Sequence, residues 1–183
     1  MNEFKRVSED ESKDSFLEEI MNQYGNDVLY VAYSYVKDYS LAEDIAQDVF
    51  VKIYKQYDSF RGESSLRTWI IRIAINQSKD YLKSWQARKV ILTNKINMYV
   101  KNNDHSTESL AVKKENSKEL WSSVLSMPIK YREVIFLYYF EDMKINEISK
   151  CLNQNENTIK SRMVRAKEIL SKMYPKGVQL YGE

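Results

Sequence analysis

Apolar residues along this chain recur at intervals of three and four, the spacing that gathers them on one face of an α-helix. Phe16, Ile20, Tyr24, Val28, Val31, Ala32 and Tyr35 follow that rhythm and predict a helix over 16–37. A second helix carries Ile45, Val49, Phe50 and Ile53 on one stripe and leaves Asp44, Gln47, Asp48, Val51 and Lys52 off it. Ser40 is its expected cap, with Glu43 three residues on to complete the reciprocal side-chain-to-backbone bonds of a capping box. A polar loop over 58–65 follows, where Gly62 can take a backbone shape that other residues resist. The third helix is expected over 65–88. Leu66, Trp69, Ile70, Ile73, Ala74, Gln77 and Tyr81 line its inner face, and Arg72, Asn76, Lys79, Asp80 and Lys83 the other.

The second half repeats the rhythm in shorter pieces. Leu120, Trp121, Val124 and Leu125 point inward from a helix over 118–126, and Pro128 starts the next, where its fixed φ is favourable. The apolar run over 131–140 reads as the core helix of this half. Two more helices are expected over 145–152 and 157–173, separated by Asn153, Gln154 and Asn155. Asparagine there can adopt the left-handed conformation that glycine often supplies. Between the halves, residues 90–116 are rich in Asn, Asp, Ser and Thr and read as a flexible linker, with weak helical tendency over 91–100. The expected organisation is all-α: an acidic, solvated tail over 1–15, a helical domain over 16–89, the linker over 90–116, a second helical domain over 117–176 and a tail over 177–183.

Composition narrows the function classes. Only 4 Gly and 2 Pro occur, which disfavours a turn-rich β fold and leaves no glycine-rich phosphate loop. A lone Cys151 allows no internal disulfide, and a lone His105 no multi-histidine metal site. No cluster suited to nucleophilic or acid–base catalysis is present. The expectation is a non-enzyme with no cofactor, metal or small-molecule substrate. No apolar run approaches the ~18 residues of a membrane span, and the acidic start is not a secretory signal, so a cytoplasmic protein is expected.

Charge distribution says more than the net of +2. Residues 1–27 are acidic. From 61 to 95 the sign reverses, with Arg61, Arg67, Arg72, Lys79, Lys83, Arg88, Lys89 and Lys95 against Glu63 and Asp80. From 158 to 176, Lys160, Arg162, Arg165, Lys167, Lys172 and Lys176 face only Glu168. Two basic helical segments suit either two solvated faces or two contacts with a polyanion. The last two helices favour the second reading, because short helices joined by a tight turn, the second one basic, make a helix-turn-helix. Ile159, Met163, Ala166, Leu170 and Met173 face inward, which turns Lys160, Ser161, Val164 and Arg165 outward. Arg162, Lys167 and Lys172 are placed to hold phosphates.

Several blocks resemble extracytoplasmic-function (ECF) sigma factors of the sigma-70 family. The run from Asp44 to Phe50, Phe60 to Ser64, and Thr68 to Asn76 look like the family's second conserved region. Met127-Pro128, Tyr131 to Val134, Glu147-Ile148, Thr158 to Arg162 and Arg165-Ala166 look like its fourth. Each block is short, but they stand in the family's order with a linker between. The resemblance implies a factor that binds core RNA polymerase and promoter DNA. By it, Asp44, Gln47, Asp48, Val51 and Lys52 grip the polymerase's largest subunit. The loop with Phe60, Arg61 and Arg67 captures a base flipped from the −10 element, with Phe60 and Trp69 as aromatic candidates; core packing is the other reading of both. Arg72, Asn76, Lys79, Asp80 and Lys83 meet the −10 strands, and Thr158, Lys160, Ser161, Arg162, Val164 and Arg165 the −35 element. An anti-sigma factor, often membrane-bound, is the further partner implied.

Departures accompany the match. Met127 replaces the usual leucine, a mild change in volume, and Asn153 a common glycine. Lys83 stands where arginine is frequent and lacks its bidentate geometry. Val164 offers only apolar contact, as to a thymine methyl. Two other classes compete: a conventional helix-turn-helix regulator that binds duplex DNA without polymerase, and a protein-binding adaptor on polymerase. Neither explains the block from Phe60 to Asn76.

Overall fold

The computed structural model describes residues 2–56, 59–93 and 116–173, with side chains over 13–56, 59–85 and 120–173. Most of the expected linker, the end of its weakly helical stretch and the tail at 177–183 lie outside the described residues. All regular structure among the described residues is α-helical, and the chain divides into two compact units, Met1–Met98 and Tyr99–Glu183.

The first unit is a three-helix bundle of α1 (Asn2–Val36), α2 (Tyr39–Lys55) and α3 (Leu66–Thr93), each packed on the other two. The apolar stripes explain why. Val28, Val31 and Ala32 of α1 meet Ala42, Ile45, Val49 and Ile53 of α2 and Ile70, Ile71, Ala74 and Ile75 of α3, all sealed from solvent. Burying each large aliphatic side chain contributes roughly 1.5–3 kcal/mol. The helix α1 begins at Asn2, well before the expected start at 16.

The cap of α2 also differs from expectation. Lys37 takes a left-handed conformation (φ 58°) that closes α1, and this leaves Asp38 extended (φ −131°, ψ 126°). Asp38 is therefore the N-cap, its Oδ1 accepting the Leu41 N–H at 3.0 Å. Ser40 lies one residue inside the helix, where it cannot cap. Ahead of α3, Gly62 turns the loop at φ 72°, and the Ser65 hydroxyl accepts the Thr68 N–H at 3.1 Å.

The second unit comprises α4 (Asn116–Ser126), α5 (Ile129–Tyr139), α6 (Ile145–Leu152) and α7 (Glu156–Met173). Its core joins Val124, Val134, Ile135, Phe136, Leu137, Ile148, Ile159, Ala166 and Leu170. Trp121 sits 5.5 Å from the Phe136 ring and 4.9 Å from Phe140. Pro128 precedes α5 rather than opening it, and its carbonyl accepts the N–H groups of Tyr131 and Arg132. The core helix α5 also buries two charges that the apolar run concealed, Arg132 and Glu133. Arg132 donates from Nη1 to the Leu125 carbonyl at 2.6 Å, which ties α5 to the end of α4.

The turn between α6 and α7 is specified residue by residue. The backbone N–H of Lys144 donates to Glu147 Oε2 at 2.8 Å and so starts α6. Asn153 ends it in the left-handed conformation expected (φ 50°, ψ 51°). Its neighbour Gln154 donates to the Ser149 carbonyl and Asn153 to that of Lys150, the two bonds of a Schellman ending. Asn155 Oδ1 then accepts the Asn157 N–H at 2.8 Å as α7 begins. One inward assignment on α7 fails. Met173 is 43% exposed, because it sits on the last residue of the helix, and its sulfur instead accepts a long contact from the Ser126 hydroxyl at 3.9 Å.

A left-handed residue with a Cβ stores strain that glycine lacks. Asn153→Gly is expected to stabilise the protein by about 0.5–1 kcal/mol, and Asn153→Ala to destabilise it by about 1 kcal/mol, in urea unfolding. Equal stabilities for the three proteins would mean that the turn is not under this constraint.

Candidate nucleic-acid and polymerase interfaces

On α2, the core stripe turns the opposite face to solvent. Asp44, Gln47, Asp48 and Val51 are exposed, and Lys52 is half-buried. Val51 is 51% exposed, an apolar side chain amid polar ones that gains from being covered. Gln77 of α3, expected to face the core, is half-buried and reaches this face. Its amide accepts from Lys52 Nζ at 3.5 Å and donates to Asp48 Oδ2 at 3.4 Å. An amide suits that place because it offers an acceptor to the ammonium and a donor to the carboxylate.

The outward face of α3 presents Arg72, Asn76, Asp80 and Lys83, all exposed. Arg72 and Asn76 have no side-chain hydrogen bond or ion pair within the described residues. Lys83 pairs loosely with Asp80 at 3.4 Å, and the Lys79 ammonium lies 5.8 Å above the centre of the Tyr35 ring. Arg67, at the start of α3, points to α1 instead and donates from Nε to Asp27 Oδ2 at 3.0 Å. Arg61 is exposed on the loop. Phe60 is half-buried, its ring 5.3 Å from that of Trp69, which is 6% exposed.

On α7, Ile159, Met163, Ala166 and Leu170 are buried, so Lys160, Ser161, Val164 and Arg165 are exposed, with Val164 at 60%. Thr158 and Arg162 are half-buried. Arg162 lies at the edge of the core face rather than on the outer one. Its Nη1 meets Glu133 Oε1 at 3.1 Å and its Nη2 meets Gln154 Oε1 at 3.4 Å. Arg165 projects outward, with Nη1 at 2.6 Å from Glu168 Oε2. That bond and the carboxylate's charge raise the Arg165 pKa above its ordinary value, so the guanidinium stays charged at any working pH. Between α5 and α7 lies an open groove of about 380 Å³, lined by Tyr131, Asn157, Thr158, Ser161, Arg162 and Arg165. Tyr131 and Asn157 were outside the sequence-derived set. Periodicity alone could not find Tyr131, because its neighbourhood comes from a different helix.

A bundle with a polar helix face, followed by a helix-turn-helix with a cationic outer face, defines a class of DNA-binding transcription protein. Residues 20–88 match the Sigma-70 region 2 family, and residues 117–170 match Sigma-70, region 4. The ECF RNA polymerase sigma factor SigM of Bacillus subtilis (strain 168) is 30% identical over 162 residues, covering 88% of this chain and 97% of SigM. SigW of the same organism is 30% identical over 167 residues, covering 87% of this chain and 89% of SigW. Among solved structures, the sigma factor RpoE from Bartonella quintana, in complex with the anti-sigma factor NepR, has a TM-score of 0.72 at 20% identity, covering 88% of this chain and 98% of RpoE. CnrH, in complex with the cytosolic domain of CnrY, gives 0.61 at 21% identity, covering 87% of each chain. Those two structures share the fold.

The chain belongs to the ECF sigma factors of the sigma-70 family, non-enzymatic proteins that direct transcription initiation by RNA polymerase. The conventional-regulator and adaptor readings give way to this. No helix among the described residues is long and apolar enough to cross a membrane.

Glu133 is 6% exposed, so removing its guanidinium partner leaves a buried carboxylate short of compensation. Arg162→Ala is expected to cost about 2–3 kcal/mol in urea unfolding of the full chain. The exposed Lys160→Ala should stay within about 0.5 kcal/mol. If Arg162→Ala left stability untouched, the ion pair would not be holding α7.

Proposed function

We propose that this sigma factor docks on core polymerase through the exposed face of α2, with Asp44, Gln47, Asp48, Val51 and Lys52 in contact. The α3 face carrying Arg72, Asn76, Lys79, Asp80 and Lys83 then meets the −10 strands. The loop with Phe60 and Arg61, and Arg67 at its end, receives a base taken out of the stack, a step that costs a few kcal/mol and needs a stacking surface. The first half of α7 enters the major groove at the −35 element. There Arg165 and Lys160 can donate to guanine O6 and N7, Ser161 can bond to any base, and Val164 can pack on a thymine methyl. Thr158 and Arg162 border the phosphates, where contacts fix register without reading sequence. Residues 16–89 and 117–176 are the working domains in this reading, and residues 90–116 join them.

One observation carries the proposal most directly. The exposed surface over the first turns of α7 combines two cations, a hydroxyl and a 60% exposed valine, a set with no purpose in the core and a direct one against base edges. One further partner follows from the relatives. RpoE was solved with the anti-sigma factor NepR and CnrH with the cytosolic domain of CnrY, and we extend an anti-sigma partner, often membrane-bound, to this chain. The protein would act in the cytoplasm, where polymerase and promoter are found.

In vitro transcription with purified core polymerase on a pool of promoter fragments tests the assignments together. The wild type should yield transcripts from a defined set of promoters and reveal both element sequences. Arg165→Ala should weaken −35-dependent initiation by about ten-fold, the worth of one good base contact. Asp48→Arg should instead lower the yield of holoenzyme and leave promoter preference intact. An unchanged −35 preference removes Arg165 from the reading set, and normal assembly by Asp48→Arg removes Asp48 from the docking face.

A further inference from the structure

One feature of α7 is at odds with a surface built to meet a polyanion. Glu168 is the only acidic residue between Thr158 and Met173, and it projects from the exposed face. It lies seven residues after Ser161, two turns along the same outward line. A carboxylate there is repelled by the phosphates that flank a major groove. An exposed ion pair adds little to stability, so helix support is a weak reason for it.

The geometry offers another reason. Glu168 Oε2 holds Arg165 Nη1 at 2.6 Å, with Glu168 49% and Arg165 59% exposed at their side chains. A guanidinium has five N–H donors in a planar fork. One Nη1 donor is taken by Glu168 and Tyr131 also interacts with the guanidinium; the donors beyond these can face two acceptors in a plane, as guanine O6 and N7 present them. Tyr131 and Ser161 line the same groove as Arg165. A phosphate likewise presents two oxygens that match the fork, but unlike guanine it carries a full negative charge. To take Arg165 it must compete with a carboxylate already in place, and it must approach that carboxylate's negative charge.

We infer that Glu168 is a specificity-determining positioning residue: by holding Arg165 toward the base edges and offsetting its charge, it suppresses non-specific phosphate binding more than it suppresses reading of the −35 element. The inference rests on the proposed role of Arg165.

The test uses holoenzyme assembled from full-length sigma factor and core polymerase. Equilibrium binding is measured on two promoter fragments, one with the −35 sequence selected by in vitro transcription and one with that sequence scrambled, over a series of salt concentrations. Glu168→Gln keeps the size of the side chain and removes its charge. It should tighten binding to the scrambled fragment several-fold, change binding to the selected fragment much less, and steepen the salt dependence on the scrambled fragment by about one counterion. In the Arg165→Ala background, Glu168→Gln should no longer alter discrimination.

Equal tightening on both fragments would overturn the inference, since Glu168 would then be a plain repulsive charge. No change on either would overturn it as well, as would an effect of Glu168→Gln that persists without Arg165. If Arg165→Ala by itself leaves discrimination intact, the proposed role of Arg165 fails and the inference falls with it. That result is distinguishable because it comes from the single variant.

Discussion

The organising constraint in each unit is rotational: a helix that serves a core and a nucleic acid must be fixed about its own axis. Apolar stripes do this coarsely, since a helix can roll by some tens of degrees before its stripe leaves the core. In both units a basic residue of the helix proposed to meet DNA is tied across to a carboxylate on a neighbouring helix. Arg67 of α3 meets Asp27 of α1 at 3.0 Å, and Arg162 of α7 meets Glu133 of α5 at 3.1 Å. The two ties differ in weight. The first is about one-third exposed on each side and adds on the order of 1 kcal/mol or less. In the second, Glu133 is almost fully buried, so the carboxylate depends on its partners, and α7 cannot roll without taking one of them away.

This bears on how the family's short motifs work. In Tyr131-Arg132-Glu133 all three residues have separate tasks. Arg132 caps the end of α4 through the Leu125 carbonyl, Glu133 anchors α7, and Tyr131 lines the outer groove. Glu147 belongs to the start of α6, where it accepts the Lys144 N–H. Much of what reads as a DNA-binding signature is therefore the frame that holds a smaller reading surface. Burial thus marks which basic residues of such a motif also help to build the helix-turn-helix, as the half-buried Arg162 does and the exposed Lys160 does not.

Helix placement was legible from the sequence because it follows from a period, and the left-handed Asn153 because its side chain and position leave few alternatives. Features decided by partners distant in sequence were not legible. Arg67 and Asp27 are 40 residues apart, and Arg162 and Glu133 are 29 apart, so charge counting could not show that either arginine has a partner within its own unit. Gln77 was read as core from its phase on α3, yet an amide at the bundle's edge gains more from Asp48 and Lys52 than from apolar neighbours. The cap of α2 was misread for a local reason. Lys37 turning left-handed moved the helix start back to Asp38, and nothing in the residue type of lysine announces that.

The pair Phe60 and Trp69 shows why core packing and base capture are not exclusive readings. Trp69 is 6% exposed and belongs to the bundle, while Phe60 sits on the loop, half-buried, with its ring 5.3 Å away and tilted by 48°. An aromatic contact of this kind contributes roughly 0.5–1.5 kcal/mol beyond the area it buries. Phe60 thus seats the described part of the loop between α2 and α3 on the core, with Gly62 turning the chain just beyond it. A surface that receives an unstacked base has to be stiff, because any ordering of the loop at that moment adds to the cost of unstacking. Under the proposed role, Trp69 supplies that stiffness from inside the bundle, and Phe60 is the side chain through which it reaches the loop.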